Sequence, residues 1–340
     1  MQQKRAPRPL PLFVELVRMI AETEPELAAR ALDGLAKYET APRRDLRPER
    51  PVVARAGPAT LRDCGGSGAP AALVPSLINP PDVLDLDEKV SLAGALARIG
   101  RRALLLDWGP ASERADLDLG GHVTELLLPL LRELGEPPAL VGYCLGGTMA
   151  VAAANLAPVE RVATLAAPWQ FSAYPQDSRD SLLRLWETTR RAASELGALP
   201  MEVLQSAFWS LDPRRTVAKF AAFADLPQDS ASARRFVTLE DWANVGDPLP
   251  YPAARELIED LFGSDLPGKG GWRVGAKIVR PELSRPLLSI TASADRITPA
   301  ATAPAGTTVQ IDSGHVGMIV GSARGKLHAA LAEFLSASCR

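Results

Sequence analysis

Gly142-Tyr143-Cys144-Leu145-Gly146-Gly147 follows an apolar Ala139-Leu140-Val141 run and opens onto Met149-Ala150-Val151-Ala152-Ala153-Ala154, a helix-forming stretch. The glycines permit a sharp strand-to-helix turn, with close backbone packing around a residue held in a strained conformation. That residue is Cys144, so the segment reads as a nucleophile elbow carrying sulfur. A thiol placed there points out of the sheet and stands at the positive end of the following helix, where its thiolate is favoured.

The rest of the chain supplies partners in the order expected of an α/β-hydrolase, nucleophile then acid then histidine. Asp295 follows the strand-like Pro286-Leu287-Leu288-Ser289-Ile290-Thr291. His315 follows Thr308-Val309-Gln310-Ile311 and sits on a loop beside Gly314 and Gly317. The chain has three histidines. His122, in Gly120-Gly121-His122, and His328, inside a terminal helical pattern, read as surface or helix-packing residues, which leaves His315 as the base.

Outward from the elbow, the sequence alternates strands and helices: an apolar Ala71 to Val74 run, a helix over about Val90 to Arg98, the strand Ala103 to Leu106, a helix near Val123 to Leu134, the elbow strand and its helix, and Val162 to Ala166. This predicts an α/β fold with a mostly parallel sheet covered on both faces, its catalytic groups at the carboxyl ends of the strands. An amphipathic segment from Leu10 to Tyr38, with Leu12, Phe13, Leu16, Val17 and Ile20 at helical spacing, precedes it. A Pro- and Arg-rich link from Ala41 to Arg50 joins the two. Between Ala167 and Pro286 lies an insertion far longer than a simple crossover. It carries helical patterns at Ser181 to Leu196, Val203 to Trp209 and Ala253 to Phe262. Most of the tryptophans lie in this interval, and they read mainly as core. The resulting division is an N-terminal helical segment and linker over 1–50, a core over 51–170 and 285–340, and a largely helical cap over 171–284 that would exclude water from the elbow.

With 340 residues, 46% of them hydrophobic, the chain can bury a full core. A net charge of -2 and the absence of a basic stripe argue against nucleic-acid binding. No apolar run reaches the length of an integral membrane span and no signal-peptide core follows the N-terminus, so a cytoplasmic protein is expected. Cys64, Cys144 and Cys339 are too far apart for a disulfide framework or a paired metal motif, and Cys64 and Cys339 read as incidental. No metal or nucleotide cofactor is implied. The pairs Arg101-Arg102, Arg190-Arg191, Arg214-Arg215 and Arg234-Arg235 read as solvated faces, with phosphate contact as the sharper alternative.

Several separated motifs resemble the poly(3-hydroxyalkanoate) synthases, in particular the short-chain class whose catalytic subunit works with a second subunit. They are Leu73-Val74-Pro75-Ser76-Leu77-Ile78-Asn79-Pro80 followed by Leu84-Asp85-Leu86, then Leu105-Leu106-Asp107-Trp108-Gly109, and Gly142 to Thr148 as the cysteine lipase box. Phe208-Trp209-Ser210-Leu211-Asp212-Pro213, Leu239-Glu240-Asp241-Trp242 and Gly314-His315-Val316-Gly317 complete the set. The resemblance implies Cys144 as a nucleophile that takes acyl groups from a hydroxyacyl-coenzyme A thioester, His315 as its base, and Asp295 as an activator of the incoming hydroxyl as well as an orienter. For an elbow of this fold, oxyanion donors are expected at the backbone N–H of Leu145 and on the Ser76 to Ile78 loop, at Leu77 and Ile78. The implied partners are an acyl-CoA substrate and a second synthase subunit or second copy, at a polymer granule. Asp295 and His315 are only 20 positions apart, which predicts a trimmed helix between them.

Two other readings stand beside this one. Dienelactone hydrolases share the G-Y-C-x-G-G elbow but have no comparable insertion, whereas a capped thioesterase, esterase or intracellular polyester depolymerase would use the same three residues. A non-catalytic granule- or synthase-binding relative would use the apolar N-terminal helix as its contact surface.

Overall fold

Short runs of buried aliphatic residues, each closed by a turn, build the centre of the chain. The computed structural model describes residues 5–43 and 49–337; Cys339 and part of the Ala41 to Arg50 link lie outside the described residues. The chain forms two units, one of Leu46–Leu199 with Asp247–Arg340 and the other of Met1–Asp45 with Pro200–Gly246. Residues 200–246 of the expected insertion thus belong with the N-terminal helices, and its flanks belong with the sheet.

The first of these units is an eight-stranded sheet. Its strands are β1 (Val52–Ala56), β2 (Ala59–Asp63), β3 (Pro70–Val74), β4 (Arg102–Asp107), β5 (Ala139–Tyr143), β6 (Val162–Leu165), β7 (Leu287–Ala292) and β8 (Thr307–Ile311), in the spatial order β1-β2-β4-β3-β5-β6-β7-β8. Only β2 runs against the others. β3, β5, β6 and β7 are buried along their whole length, as expected of parallel strands covered on both faces. The pairings Val74 with Gly142 and Tyr143 with Leu165 bring the carboxyl ends of β3, β5 and β6 level. The chain order reverses between β3 and β5, the switch point where α/β sheets place their sites.

The helix expected over Val123 to Leu134 is instead a broken one. Leu119–Gly121 leads into a wide π turn over His122–Leu127, and an α segment follows over Leu128–Arg132. Pro129 explains the break, because it has no N–H to give an unbroken α ladder. Between Asp295 and β8 the sheet unit keeps only the 3-10 turn Ala300–Thr302, the trimmed connection that the spacing predicts.

In the other unit, Pro25 splits the N-terminal amphipathic segment into helices Leu10–Ala21 and Pro25–Thr40. Phe13, Leu16 and Val17 share one core with Tyr38, Trp209 and Phe220, and the rings of Phe13 and Phe220 lie 4.7 Å apart. The apolar face that a granule-binding role would need is therefore occupied within the unit. Asp212 and Ser230 cap helices Pro213–Ala224 and Ala231–Asn244 through their side-chain oxygens. Among the described residues, no helix is long and apolar enough to cross a membrane.

Candidate active site

Cys144 links β5 to helix Leu145–Leu156 with φ 54° and ψ -130°, a region that costs a side-chain-bearing residue about 1–3 kcal/mol. Backbone bonds hold it there: its N–H donates to Leu165 O at 2.9 Å, and its carbonyl accepts from Gly147 N at 2.8 Å. The elbow closes only because its neighbours lack side chains. A Cβ on Gly146 would lie 2.2 Å from Val74 O and 2.4 Å from Pro75 O, and one on Gly142 would lie 2.4 Å from Gly147 Cα. These obstacles are backbone and cannot swing away. Gly146→Ala is therefore expected to destabilise the protein by on the order of 3 kcal/mol, read as a fall in denaturant midpoint; an unchanged midpoint would contradict this close packing.

Asp295 and His315 come from the ends of β7 and β8, which pair in parallel register. The two loops are knitted together, with Ser293 N donating to Ile311 O and Ala294 N to Ser313 O, each at 2.9 Å. Asp295 Oδ1 accepts from the N–H groups of Ile297 and Thr298, both at 2.8 Å, while Oδ2 accepts from His315 Nδ1 at 2.7 Å. With Nδ1 so engaged, Nε2 is the ring nitrogen left to act on Cys144, whose charge is felt by the imidazole. The structure thus brings Cys144, His315 and Asp295 together from three strand ends.

Burial works against a charged imidazole here, yet the adjacent Cys144 and Asp295 outweigh it and hold His315 up at about 10. A free imidazole releases its proton near 6.5, so the charged ring adds stability that is complete below pH 6.5 and lost as pH rises through about 10. Ring-nitrogen NMR is expected to show His315 as imidazolium at pH 8, with thermal stability declining over that window. A ring already neutral at pH 8 would contradict the pairing.

The other titratable candidates sit in different surroundings. His122 is fully buried; its Nδ1 lies 2.6 Å from Asp118 O and its Nε2 3.0 Å from Arg114 Nη1, and burial pulls it down to about 4. It is a helix-packing residue. His328 is half-buried and also lowered by burial. Cys64 is buried and pushed up to about 12, mainly by that burial, so its thiol stays protonated. Arg101 pairs with Glu160, Arg102 with Asp63 and Arg214 with Glu24, so these three guanidinium groups already have carboxylate partners.

On the oxyanion side, the tight approach of Gly146 to Val74 O and Pro75 O sets the start of helix Leu145–Leu156 against the loop after β3. An amide at the first position of a helix, as at Leu145, has no intrahelical acceptor. Leu77 is buried, and the Ile78 N–H is turned toward Ser76 Oγ at 3.4 Å.

Two site residues were not singled out from sequence. The Tyr143 ring lies 5.0 Å from the His315 ring at a 34° tilt, and Tyr174, almost wholly buried, is raised first by burial and then by the charge of Cys144. Tyr143 had a signal, its place directly before the nucleophile. Tyr174 had none, being brought in from beyond β6.

No family model matches the chain. It is 26% identical over 292 residues to the poly(3-hydroxyalkanoate) polymerase subunit PhaC of Haloferax mediterranei, covering 78% of this chain and 58% of that one. It is also 26% identical over 290 residues to the subunit of the same name from Allochromatium vinosum, covering 78% and 80%. The chain thus spans less than two thirds of the haloarchaeal relative. Among solved structures, epoxide hydrolase A from Mycobacterium thermoresistibile superposes with a TM-score of 0.53 at 18% identity, over 85% of this chain and 98% of that one. That likeness is one of fold. By sequence, then, the chain is similar to poly(3-hydroxyalkanoate) polymerase subunits, and its fold is the α/β-hydrolase fold.

Proposed function

We propose that the chain is an acyltransferase of the poly(3-hydroxyalkanoate) synthase type, which joins 3-hydroxyacyl units taken from coenzyme A thioesters. What supports this reading is a cysteine at the elbow near the hydrogen-bonded His315–Asp295 pair, in a chain whose relatives bear polymerase names. His315 holds the proton given up by Cys144, and the thiolate attacks the thioester carbonyl. The resulting oxyanion is held by the N–H groups of Leu145 and Leu77. Collapse breaks the carbon–sulfur bond to coenzyme A, whose thiolate recovers the proton from His315, and the acyl group remains on Cys144. Thioester exchange of this kind is close to thermoneutral, so a sulfur nucleophile suits it.

For chain growth, the 3-hydroxyl of the next unit loses a proton as it attacks the Cys144 thioester, forming the ester while the carbon–sulfur bond breaks and Cys144 leaves as thiolate. We assign that proton to His315. Both oxygens of Asp295 already accept hydrogen bonds, so its part is to orient and stabilise the imidazolium. Tyr174, at the start of the insertion, is buried against Phe171 and Phe262 and within reach of the charge of Cys144, which supports a cap that keeps water from the acyl group.

Incubation with 3-hydroxybutyryl-CoA tests the reading. Release of coenzyme A with formation of oligomeric or polymeric ester supports it. Release with free 3-hydroxybutyrate as the sole product overturns it in favour of a capped thioesterase, esterase or depolymerase.

A further inference from the structure

The Leu105-Leu106-Asp107-Trp108-Gly109 motif has no part in the chemistry above, yet it touches the loop that would supply the second oxyanion donor. Trp108 follows β4 and is buried, and its indole Nε1 donates to Pro75 O at 3.1 Å. Pro75 is the first residue beyond β3, and a Cβ on Gly146 would lie 2.4 Å from the same carbonyl oxygen. The oxygen is thus approached by both the indole N–H and the elbow.

Resting on the acyl-transfer reading, we propose that Trp108 is a positioning residue for the oxyanion loop, its indole N–H clamping the Pro75 carbonyl and so fixing the direction of the amides that follow. The Pro75–Ser76 peptide is trans, so its N–H points opposite to the clamped carbonyl, and rotation of that plane would carry the next amide, Leu77 N–H, with it. The clamp is itself fixed. The His122 ring stands edge-on to Trp108, with centroids 5.7 Å apart at 80°, and is held by Arg114 and the Asp118 carbonyl. At its far end the loop is tied down by Asp85, which accepts a two-pronged contact from Arg50 at 2.8 and 3.2 Å and a hydrogen bond from Ser91. A loop anchored at both ends is preorganised for charge that appears only during reaction. The buried histidine, the tryptophan and the Leu84-Asp85-Leu86 motif thereby share one purpose.

The test compares Trp108→Phe, and a chain carrying the isosteric β-(3-benzothienyl)alanine at position 108, with the wild type. Neither replacement has an N–H. Acyl release is followed from 3-hydroxybutyryl-CoA and from p-nitrophenyl butyrate, and Cys144 is separately alkylated with iodoacetamide, a reaction that needs the thiolate but develops no oxyanion. Both replacements are expected to lower kcat about tenfold to a hundredfold for each donor while KM stays nearly constant. Alkylation is expected to stay within about twofold of wild type. Wild-type kcat in the benzothienyl chain overturns the proposal, as does an equal loss of alkylation, which would mark general collapse of the elbow. A wild type acylated by the ester but not by the thioester overturns the synthase reading and leaves the Trp108 comparison to be read on the ester. One acylated by neither overturns both.

Discussion

Cys144→Ala is expected to lower coenzyme A release from 3-hydroxybutyryl-CoA by on the order of 10⁴ to 10⁶, as when the nucleophile of a covalent mechanism is removed. Alanine is the informative replacement because it keeps the Cβ. The strain at φ 54° and the two backbone bonds to Leu165 and Gly147 are common to both chains, so the elbow should keep its backbone. Loss of activity in a folded protein would then report on the sulfur alone. Retention of a tenth or more of the rate would place the reacting group elsewhere.

His315→Gln is expected to cost on the order of 10⁴ in the same assay, with a parallel loss of Cys144 alkylation by iodoacetamide near neutral pH. Glutamine can still donate an N–H to Asp295, so the buried carboxylate keeps a partner alongside Ile297 and Thr298. It cannot accept a proton or carry a positive charge beside the sulfur. The imidazolium that Cys144 and Asp295 hold up at about 10 disappears, and with it the group that takes the thiol proton. This pattern is the opposite of that expected for Trp108→Phe, in which alkylation survives while acyl transfer falls. A His315→Gln protein with wild-type alkylation and acyl transfer would dissolve the pair.

Much of this site is local enough to be read from the chain. The elbow declares itself because backbone clearance demands glycine at positions 142, 146 and 147, whatever the rest of the molecule does. Asp295 and His315 are legible because each lies on the loop after a strand-like run, a fully apolar one before Asp295, and parallel strands bring such residues to one edge. What was not legible depends on distance in sequence or on weak patterns. The β1–β2 hairpin is absent from the strand and helix alternation read from sequence, although Gly57-Pro58 marks its turn, because exposed Val52 and Val53 give no inward-outward alternation. The π turns at His122–Leu127 and Glu256–Gly263 have the same apolar spacing as α-helix to first order. The assignment of residues 200–246 to the N-terminal unit rests on Phe13 meeting Trp209 and Phe220, which no local signal encodes. Trp108 stands in a legible motif, but its bond to Pro75 spans 33 positions.

The most direct test of the whole account is intact and peptide mass spectrometry of the wild-type chain quenched in acid shortly after mixing with 3-hydroxybutyryl-CoA. The account predicts a hydroxybutyryl thioester on the peptide containing Cys144, formed together with released coenzyme A and absent from Cys144→Ala. Coenzyme A released by wild type with no adduct at Cys144 at any time, or with the adduct on another residue, would contradict it.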